Sequence, residues 1–486
     1  MSVIAPTRPL TERSAVDLAQ AIRTRETSSR EVVEAHIEVL ERTHARINAV
    51  VADRYARARE EADTADALVA EAADPDALPP LHGVPCTIKE SIAMLGMPNC
   101  AGLVSRRDWR STANAPTVQR LLDAGAIPLG VTNTPELCLW IETENRTYGR
   151  TNNAYDPART AGGSSGGEGA AVGAGGSPIG LGADIGGSIR LPAFFNGVFG
   201  LKPSPGLVPS TGQFPTTETE VAAMMLTIGP ITRRAEDLMP FLRVIAGPDG
   251  VDPYTRSAEL GDPADVSIAD TRILLSEENS FKQVSRELRD ARLQAAEALQ
   301  RAGATVETVS MKSMRRALEL YLAVLKLEAG VSVADLIVAE GSSHVTFGGG
   351  LKRKGPHTRA LRLLLFSEWM TGKMPQGRLR RAAAARQAFQ DELTAAIGDG
   401  VLLHPTHPRV APRHGKTVGK PWLLTTTAVF NLAGLPVAQI PLGLNARGLP
   451  LGVQAAVGPD RDHVAVAVAL ELARAMGGWV PPPADL

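Results

Sequence analysis

Glycine is concentrated in one stretch of the chain, residues 161 to 187, which contains 12 glycines. Glycine adopts positive φ angles readily and lets a backbone approach another group closely, so this stretch is suited to turns and close contacts. Within it, Ile179 to Asp184 predicts a strand, and Gly186 to Ser188 follows before a new helix. Such a junction would place a serine hydroxyl at a helix N-terminus, beside backbone N–H groups that can hold a developing oxyanion.

Glycine-rich turns also bind phosphate or carry the nucleophile of α/β-hydrolases, and the residues here fit neither site well. The stretch has no GxxxxGK[ST] and no well-placed GxGxxG. Gly162 to Gly166 matches GxSxG, but Pro157 to Thr160 before it lack the buried-strand pattern that a nucleophile elbow follows. A plain turn without chemistry and a serine-based site are both open at this point.

Charge and cysteine content exclude several classes of protein. The 51 lysines and arginines nearly balance the 52 aspartates and glutamates, for a net charge of −1, whereas nucleic-acid-binding proteins usually carry a basic excess. The three cysteines, Cys86, Cys100 and Cys138, lack CxxC spacing, which argues against a disulfide framework and a zinc site. We expect no nucleic-acid partner, no metal and no other cofactor.

Hydrophobic patterning predicts an α/β protein. Residues 10 to 75 have apolar side chains at helical spacing, which predicts two or three helices lying over the rest of the chain. From about residue 80, strand patterns alternate with helix patterns, as in a sheet with helices on its faces. The predicted strands are 84–88, 127–131, 179–184, 273–275, 401–403, 437–442 and 451–457, and the predicted helices are 117–124, 276–300 and 462–476.

No segment predicts a signal peptide or a membrane span. Residues 1 to 13 lack an apolar core. The longest apolar stretch, Leu423 to Leu444, is interrupted by Asn431, Gly434 and two prolines. It therefore predicts a buried helix followed by a buried strand rather than a membrane helix. We expect a cytoplasmic protein.

Two blocks carry a family resemblance. The first begins Ala161-Gly-Gly-Ser-Ser-Gly-Gly-Glu and ends Asp184-Ile-Gly-Gly-Ser-Ile-Arg, and the second, Gly83 to Glu90, reads Gly-Val-Pro-Cys-Thr-Ile-Lys-Glu. Both resemble the amidase signature enzymes. Within that family, residues 166–169 and the segments near 451–454 and 477–479 are most similar to the fatty acid amide hydrolases.

The resemblance implies a fold and a domain plan. The fold class is α/β, the amidase signature fold, an α/β/α sandwich with a large mixed β-sheet. One amidase domain would cover residues 1–486, with a helical layer at about 10–75, an α/β core at about 80–480 and a lid-like segment at about 340–385.

The resemblance also implies a catalytic triad of two serines and one lysine. The nucleophile falls on Ser188, the intermediate serine, carried on a cis peptide, on Ser164, and the lysine on Lys89. The implied oxyanion donors are the backbone N–H groups of Ile185, Gly186, Gly187 and Ser188. Supporting positions fall on Ser165, Asp184 and Arg190, and Cys138 falls on a substrate-lining position, although a small buried residue explains Cys138 equally well.

The chemistry of these residue types fits amide cleavage. A serine hydroxyl needs a base nearby, and a solvated lysine, with a pKa of about 10.4, is protonated at neutral pH. Desolvation favours the neutral amine, so a buried Lys89 could accept the proton of Ser164 while Ser164 accepts that of Ser188. Ser188 would form an acyl-enzyme, and the relay would run backward to protonate the leaving amine. The alternative base is a histidine, with candidates at His82, His404 and His407.

The substrate and the partners are less constrained. The resemblance implies hydrolysis of apolar acyl or aryl amides, with esterase side activity. The alternative is an amidotransferase subunit that hydrolyses glutamine within a larger complex, and the balanced charge counts against it. Relatives are often dimers, so a homodimer is an open alternative.

A basic and apolar segment, Lys352 to Met374, follows three consecutive glycines. It predicts either a lid helix that shapes the acyl pocket or an amphipathic surface that contacts an anionic membrane. We prefer the lid, and peripheral membrane contact through about 350–375 is the alternative.

Overall fold

The computed structural model describes most of the chain. The described residues are 8–217, 219–276, 284–328, 332–341, 355–371 and 376–483. They form one large mixed sheet covered by helices, preceded along the chain by a layer of three helices.

The N-terminal helices are α1 (Ala15–Arg23), α2 (Ser29–Ile47) and α3 (Tyr55–Glu71). A capping box starts α2: the Ser28 hydroxyl accepts the N–H of Glu31, and the Glu31 carboxylate accepts the N–H of Ser28. This exchange satisfies two N–H groups that the first turn of a helix leaves unpaired. The three helices lie within the predicted helical layer.

Eleven strands of the described residues form the main sheet, and two more form a separate hairpin. The sheet contains β1 (Val50–Asp53), β2 (Pro85–Lys89), β3 (Ile127–Thr132), β6 (Ile179–Asp184), β7 (Phe199–Lys202), β8 (Thr227–Thr232), β9 (Arg272–Leu275), β10 (Thr305–Thr308), β11 (Val401–His404), β12 (Val437–Leu444) and β13 (Pro450–Ala456). The hairpin pairs β4 (Glu144–Asn145) with β5 (Gly149–Arg150). The spatial order of the sheet is β1-β3-β2-β6-β8-β7-β12-β13-β11-β9-β10.

Parallel and antiparallel pairs are mixed in this sheet. β2 is parallel to β3 and β6, β9 is parallel to β10 and β11, and the other neighbouring strands are antiparallel. The register of β2 and β6 pairs Thr87 with Gly180. The carboxyl ends of these two strands, Lys89 and Asp184, therefore lie at the same edge of the sheet.

The remaining helices connect and cover the strands. They are α4 (Pro116–Asp123), α5 (Gly166–Gly173), α6 (Arg190–Phe195), α7 (Glu220–Met225), α8 (Leu238–Ile245), α9 (Arg286–Arg301), α10 (Ala317–Glu328), α11 (Val333–Ala339), α12 (Arg359–Thr371), α13 (Gln376–Ala384), α14 (Arg386–Ile397), α15 (Thr425–Leu432) and α16 (Asp462–Met476). The stretch Leu423 to Leu444 contains α15 and β12, as its interruptions predict, and no helix of the described residues is long and apolar enough to cross a membrane.

Both faces of the sheet are apolar because successive side chains of a strand point to opposite faces. In β12, Ala438 and Ile440 belong to one core and Val437 to the other. The first core contains side chains of α4, α8, α9 and α16, and the second contains side chains of α10, α14 and α15. Helices therefore cover the sheet on both sides, as the α/β pattern predicts.

A small helical unit covers one loop of the core. Ile337 on α11 and Leu361 and Leu365 on α12 pack with Leu103 and Leu137 in a separate apolar cluster. Of this unit, α12 falls in the segment predicted as lid-like, at about 340–385, and α11 lies just before it. The parts of that segment at 342–354 and 372–375, which include Lys352 and Met374, lie outside the described residues.

Candidate active site

The three predicted triad residues come from separate elements. Lys89 is the last residue of β2, Ser164 lies just before α5, and Ser188 lies in the turn between β6 and α6. Because β2 and β6 are adjacent and parallel, residues that follow their carboxyl ends meet at one edge of the sheet.

The Lys89 amine lies 2.7 Å from Ser164 Oγ. The exposed fractions are 1% for Lys89, 2% for Ser164 and 8% for Ser188. The peptide bond between Gly163 and Ser164 is cis, as the family resemblance implies. The lysine and its serine partner are therefore almost completely shielded from water.

Ser165 joins the loop of Ser164 to the turn of Ser188. Its N–H donates to the carbonyl oxygen of Ser188 at 3.2 Å. Its hydroxyl lies 3.3 Å from both the N–H nitrogen and the carbonyl oxygen of Ala183, near the end of β6. The structure thus brings Lys89, Ser164, Ser165 and Ser188 together.

Asp184 and Arg190 form an ion pair at 3.0 Å with neither side chain exposed. The guanidinium also donates to Asn431 Oδ1 at 2.6 Å, to Gln454 Oε1 at 3.0 Å and to the Thr427 carbonyl at 3.1 Å. Burial alone would raise the pKa of Asp184, but the charge and hydrogen bonds of Arg190 outweigh burial and hold that pKa well below its ordinary range. The carboxylate is therefore ionised at neutral pH.

The same carboxylate organises the turn that carries Ser188. Asp184 Oδ1 accepts the N–H of Gly187 at 2.7 Å, and Oδ2 accepts the N–H of Ile189 at 3.1 Å. The Gly187 N–H is thus already engaged, which corrects the expectation that four successive N–H groups are free to face an oxyanion. Among the described residues, three N–H groups of the turn have no hydrogen-bond partner: those of Ile185, Gly186 and Ser188.

Two of the glycines around the serines lie where a side chain would not fit. Gly187 has a φ of +122°, and a Cβ there would overlap the hydroxyl of Thr427. A Cβ at Gly163 would lie 2.5 Å from the carbonyl oxygen of Trp140. Both positions need close backbone approach, which only glycine permits.

The charge state of Lys89 is set mainly by its surroundings. Burial lowers the pKa of Lys89 because the ammonium loses its hydration. Cys138, Asp184 and Glu168 oppose this effect, since each favours the charged form. Burial is the larger influence, so the amine is made more available as a proton acceptor for Ser164.

Cys138 lies beside the lysine. Its thiol acts on the pKa of Lys89, and its sulfur lies 3.2 Å from Thr134 Oγ1. The thiol is half-buried, and the backbone of Leu137 and Cys138 has positive φ angles of 57° and 59°. The turn at these residues directs Cys138 toward the candidate site.

A buried carboxylate attaches this loop to α12. Glu136 Oε1 lies 2.6 Å from His357 Nδ1, and Oε2 accepts the N–H and the hydroxyl of Thr358 at 2.8 and 3.0 Å. A cavity of about 610 Å³ lies beside this contact, between residues 135–146 and residues 358–362. The predicted lid helix is therefore fastened next to the loop of Cys138.

The three candidate histidines are engaged elsewhere. Each contacts a backbone carbonyl oxygen through one ring nitrogen, at 3.0 Å for His82, 3.0 Å for His404 and 2.7 Å for His407. Burial lowers the pKa of His407 to about 4. No group of three or more histidines, cysteines and carboxylates within the described ranges could hold a metal ion. The lysine is the base candidate that contacts a serine.

Sequence reasoning assigned no site role to several buried polar residues around the triad. Asn431 interrupts an apolar stretch, Gln454 follows an apolar run in β13, and Glu168 stands among glycines and alanines. All three are fully buried. Since buried polar groups need hydrogen-bond partners, a polar residue inside an apolar run was the signal that could have identified them.

Comparison with known proteins agrees with this geometry. The profile of the family described as Amidase matches residues 31–465. This chain belongs to the amidase signature family. Human fatty-acid amide hydrolase 2 is 38% identical over 504 aligned positions, which cover 98% of this chain and 91% of that protein.

Other members of the amidase signature family are also similar. The glutamyl-tRNA(Gln) amidotransferase subunit of Gloeobacter violaceus is 31% identical, over 90% of this chain and 91% of its own length. The crystal structure of a bacterial aryl acylamidase superposes with a TM-score of 0.82 at 25% identity, covering 96% of this chain and 97% of that one. The amidase signature fold is confirmed, the chain is an amide-bond hydrolase, and the amidotransferase alternative has the weaker support.

Proposed function

We propose that this amidase cleaves carboxylic amide bonds through an acyl-enzyme, with Ser188 as the nucleophile and Ser164 and Lys89 as its proton relay. The observation that carries the proposal is the 2.7 Å contact between the Lys89 amine and Ser164 Oγ in a site almost free of solvent. A desolvated lysine next to a serine can act as a base at neutral pH, which a solvated lysine cannot.

In the proposed cycle, two protons move in sequence. Neutral Lys89 accepts the proton of Ser164, and Ser164 accepts that of Ser188 as the Ser188 oxygen attacks the substrate carbonyl. Ser164 then donates its proton to the leaving nitrogen and regains one from Lys89, because an unprotonated amide nitrogen is a poor leaving group. Water then attacks the acyl-enzyme with the same relay accepting its proton, and Ser188 leaves with a proton as the carboxylic acid is released.

The oxyanion would be held by the turn before α6. We assign this role to the N–H groups of Ile185, Gly186 and Ser188, which lack partners among the described residues. The Gly187 N–H is not included, because it donates to Asp184. Loss of one such donor typically lowers the rate by about 10²- to 10³-fold. Ser165, Asp184 and Arg190 are supporting residues, since they hold the turn in place.

The proposed substrates are apolar acyl or aryl amides, with some ester hydrolysis. The human relative is named for fatty-acid amides, and the solved bacterial relative is an aryl acylamidase. Leu139 and Leu361 belong both to the apolar cluster under α12 and to the wall of the 610 Å³ cavity beside Cys138. The cavity wall also contains charged side chains, so the assignment of an apolar acyl group rests on the two relatives.

Peripheral membrane contact is a second proposed role of α12, in an otherwise cytoplasmic protein. Phe366 and Trp369 on this helix are 43% and 48% exposed, with ring centroids 5.8 Å apart. Exposed aromatic side chains on a helix that also carries Arg359 and Arg362 suit an anionic lipid surface. Co-sedimentation with anionic liposomes should decrease in a Phe366→Ser/Trp369→Ser variant, and equal sedimentation would exclude this contact.

Fluorophosphonate labelling tests the nucleophile. We expect peptide mass spectrometry to locate the label on Ser188, and labelling and amide turnover to disappear in Ser188→Ala. Ser177→Ala is the matched control, because Ser177 is also buried and its hydroxyl donates to the Ile179 carbonyl at 2.7 Å. Amide turnover that survives in Ser188→Ala would contradict the proposal.

A substrate series tests the acyl preference. Anilides and N-acyl amides of rising chain length should give a kcat/KM that rises with apolar length. A steady fall with longer chains would remove the apolar-acyl assignment. Light scattering on the same preparation tests whether the chain forms the homodimer that the family resemblance leaves open.

A further inference from the structure

Glu168 is a buried carboxyl group that the proposed relay does not use. It lies in the first turn of α5, shortly after Ser164, and has no exposed surface. Its Oε2 accepts the hydroxyl of Thr87 at 2.6 Å, and its Oε1 accepts the hydroxyl of Thr132 at 2.6 Å. Two short hydrogen bonds from separate strands hold this carboxyl in one position.

Both threonines belong to the strands that place the lysine. Thr87 lies two residues before Lys89 on β2, so the two side chains point to the same face of the sheet. Thr132 ends β3 and is paired in register with Lys89. Glu168 therefore connects the helix that follows Ser164 to both strands around Lys89.

The sheet provides space for the carboxyl at one glycine. Gly180 lies on β6 opposite Thr87. A Cβ at this position would overlap Glu168 Oε2 and lie 3.1 Å from Thr87 Oγ1. The glutamate on the helix therefore fits only because the facing sheet residue is a glycine. This fit argues that the buried carboxyl is a specific feature of this fold.

The charges of Glu168 and Lys89 depend on each other. Burial raises the pKa of Glu168 to about 7, and the hydroxyls of Thr132 and Thr87 and the charge of Lys89 moderate that increase. In return, Glu168 favours the charged form of Lys89. The other ionisable groups that act on Lys89 are Cys138 and Asp184, and the charge of Glu168 contributes to the raised pKa of the Cys86 thiol.

We propose that Glu168 is a positioning residue for the Lys89–Ser164 pair, an inference that rests on the proposed function. Its bridge to Thr87 and Thr132 holds the lysine strand at hydrogen-bond distance from Ser164. Its ionisation sets how readily Lys89 gives up a proton, because a carboxylate nearby favours the ammonium and a neutral carboxyl group does not.

Glu168→Gln tests this role, because it keeps the shape of the side chain and removes its charge. The rate of Ser188 labelling by fluorophosphonate is followed against pH in both proteins. In Glu168→Gln we expect the acidic limb of the profile to move to lower pH by about one pH unit. At a fixed pH on that limb, labelling would then be about tenfold faster than in the wild type. The direction follows because loss of a negative charge lowers the pKa of Lys89.

Asp237→Asn is the matched control. Burial also raises the pKa of Asp237 to about 7, but this carboxylate accepts the N–H groups of Ala15 and Val16 at the start of α1. We expect this variant to lose stability and keep the acidic limb in place. An unmoved limb in Glu168→Gln would overturn the inference and leave Glu168 a packing role only.

Two further measurements keep the test decisive. If Glu168→Gln does not fold, Thr132→Val removes one hydroxyl that stabilises the carboxylate, and the limb should move in the same direction. If the wild type is not labelled at all, the proposed nucleophile fails, and the inference is then judged from the pKa of Lys89 itself. That pKa, followed through the ¹³C chemical shift of its ε-carbon, should be lower in Glu168→Gln, and an equal value would overturn the inference.

Discussion

Asp184 and Arg190 form an ion pair that is completely buried, and the two residues stand on either side of Ser188 in the chain. The Asp184 carboxylate also accepts the N–H groups of Gly187 and Ile189, the immediate neighbours of Ser188. One charged group therefore fixes the backbone on both sides of the proposed nucleophile. Removing one partner of a buried ion pair lowers the free energy of unfolding, because the remaining partner keeps a buried charge without a counter-charge.

Asp184→Asn is expected to lower the free energy of unfolding by about 3–5 kcal/mol and to remove most activity. The buried guanidinium of Arg190 would lose its counter-charge, and the turn at Ser188 would lose one of its two acceptor oxygens. Urea unfolding and the rate of Ser188 labelling measure the two effects. Asp63→Asn, in an exposed pair with Arg30, is the control and should change stability little.

The pH dependence of this contribution has a definite sign. The pKa of Asp184 is lowered in the fold, so the stability that the carboxylate provides is complete above the unfolded aspartate pKa of about 3.9. It is lost only as pH falls through the lower folded value. The stability difference between wild type and Asp184→Asn should therefore stay constant from pH 8 to about pH 5 and shrink in stronger acid.

Lys89→Met is expected to lower amide turnover by at least about 10²- to 10⁴-fold while stabilising the fold at neutral pH. Burial lowers the pKa of Lys89, so between the folded and the unfolded pKa the unfolded chain binds this proton more tightly than the folded chain does. The stability of the wild type should rise with pH toward the ordinary lysine pKa of about 10.4. Methionine has no such penalty, so the stability gain of the variant should be largest near pH 7 and smaller near pH 10.

Lys202→Met is the matched control for this change. Lys202 is also fully buried, and burial lowers its pKa to about 7, but its amine donates to the carbonyls of Leu435 and Pro203. Ser188 labelling should survive in Lys202→Met and disappear in Lys89→Met. Equal labelling of both variants would exclude Lys89 as the base.

Gly187→Ala is expected to lower kcat/KM by at least about 10²-fold. The added Cβ would overlap Thr427, so the turn that carries the proposed oxyanion donors must move. Gly419→Ala is the control, since Gly419 also has a positive φ, of +77°, but has no atom within 4 Å of an added Cβ. The control should lose about 1–2 kcal/mol of stability through backbone strain and keep its activity. Similar activity in the two variants would contradict the assignment of the turn.

Glu136→Gln is expected to raise KM for long acyl chains more than for short ones. The amide oxygen can still accept both groups of Thr358, but the NH2 group that replaces Oε1 cannot accept a hydrogen from His357 Nδ1 as the carboxylate does. The start of α12 would loosen beside the cavity that Leu139 and Leu361 help to line. KM values for anilides of two chain lengths measure the effect, with the exposed Glu60→Gln as control. An equal change in KM for both chain lengths would contradict a role of α12 in covering the acyl group.

The strands that sequence reasoning identified are those with continuous apolar runs, and the ones it missed have a physical reason. β8 contains Pro230, and proline is rare inside a sheet, yet β8 lies in the interior between β6 and β7. β7 is four residues long and ends in the charged Lys202, so its sequence does not indicate a buried strand. β1 and β10 are four residues long and lie at the two edges of the sheet, where alternation is weakest.

The sequence by itself determined the local chemistry: a glycine-rich turn after a strand, the serines within it, and the cis peptide and lysine that the family motif implies. The tertiary structure decided which groups meet. Lys89 reaches Ser164 across 75 residues of chain, and Arg190 finds Asn431 across 241. It also decided that Asp184 takes the N–H of Gly187, which no pattern indicated.

The physical reason is that the turn depends on neighbouring residues, whereas burial depends on the whole fold. A glycine's backbone freedom is a property of that residue, so it can be read from the sequence. The loss of hydration that lowers the pKa of Lys89 arises only when β2, β6, α5 and the loop of Cys138 pack around the amine.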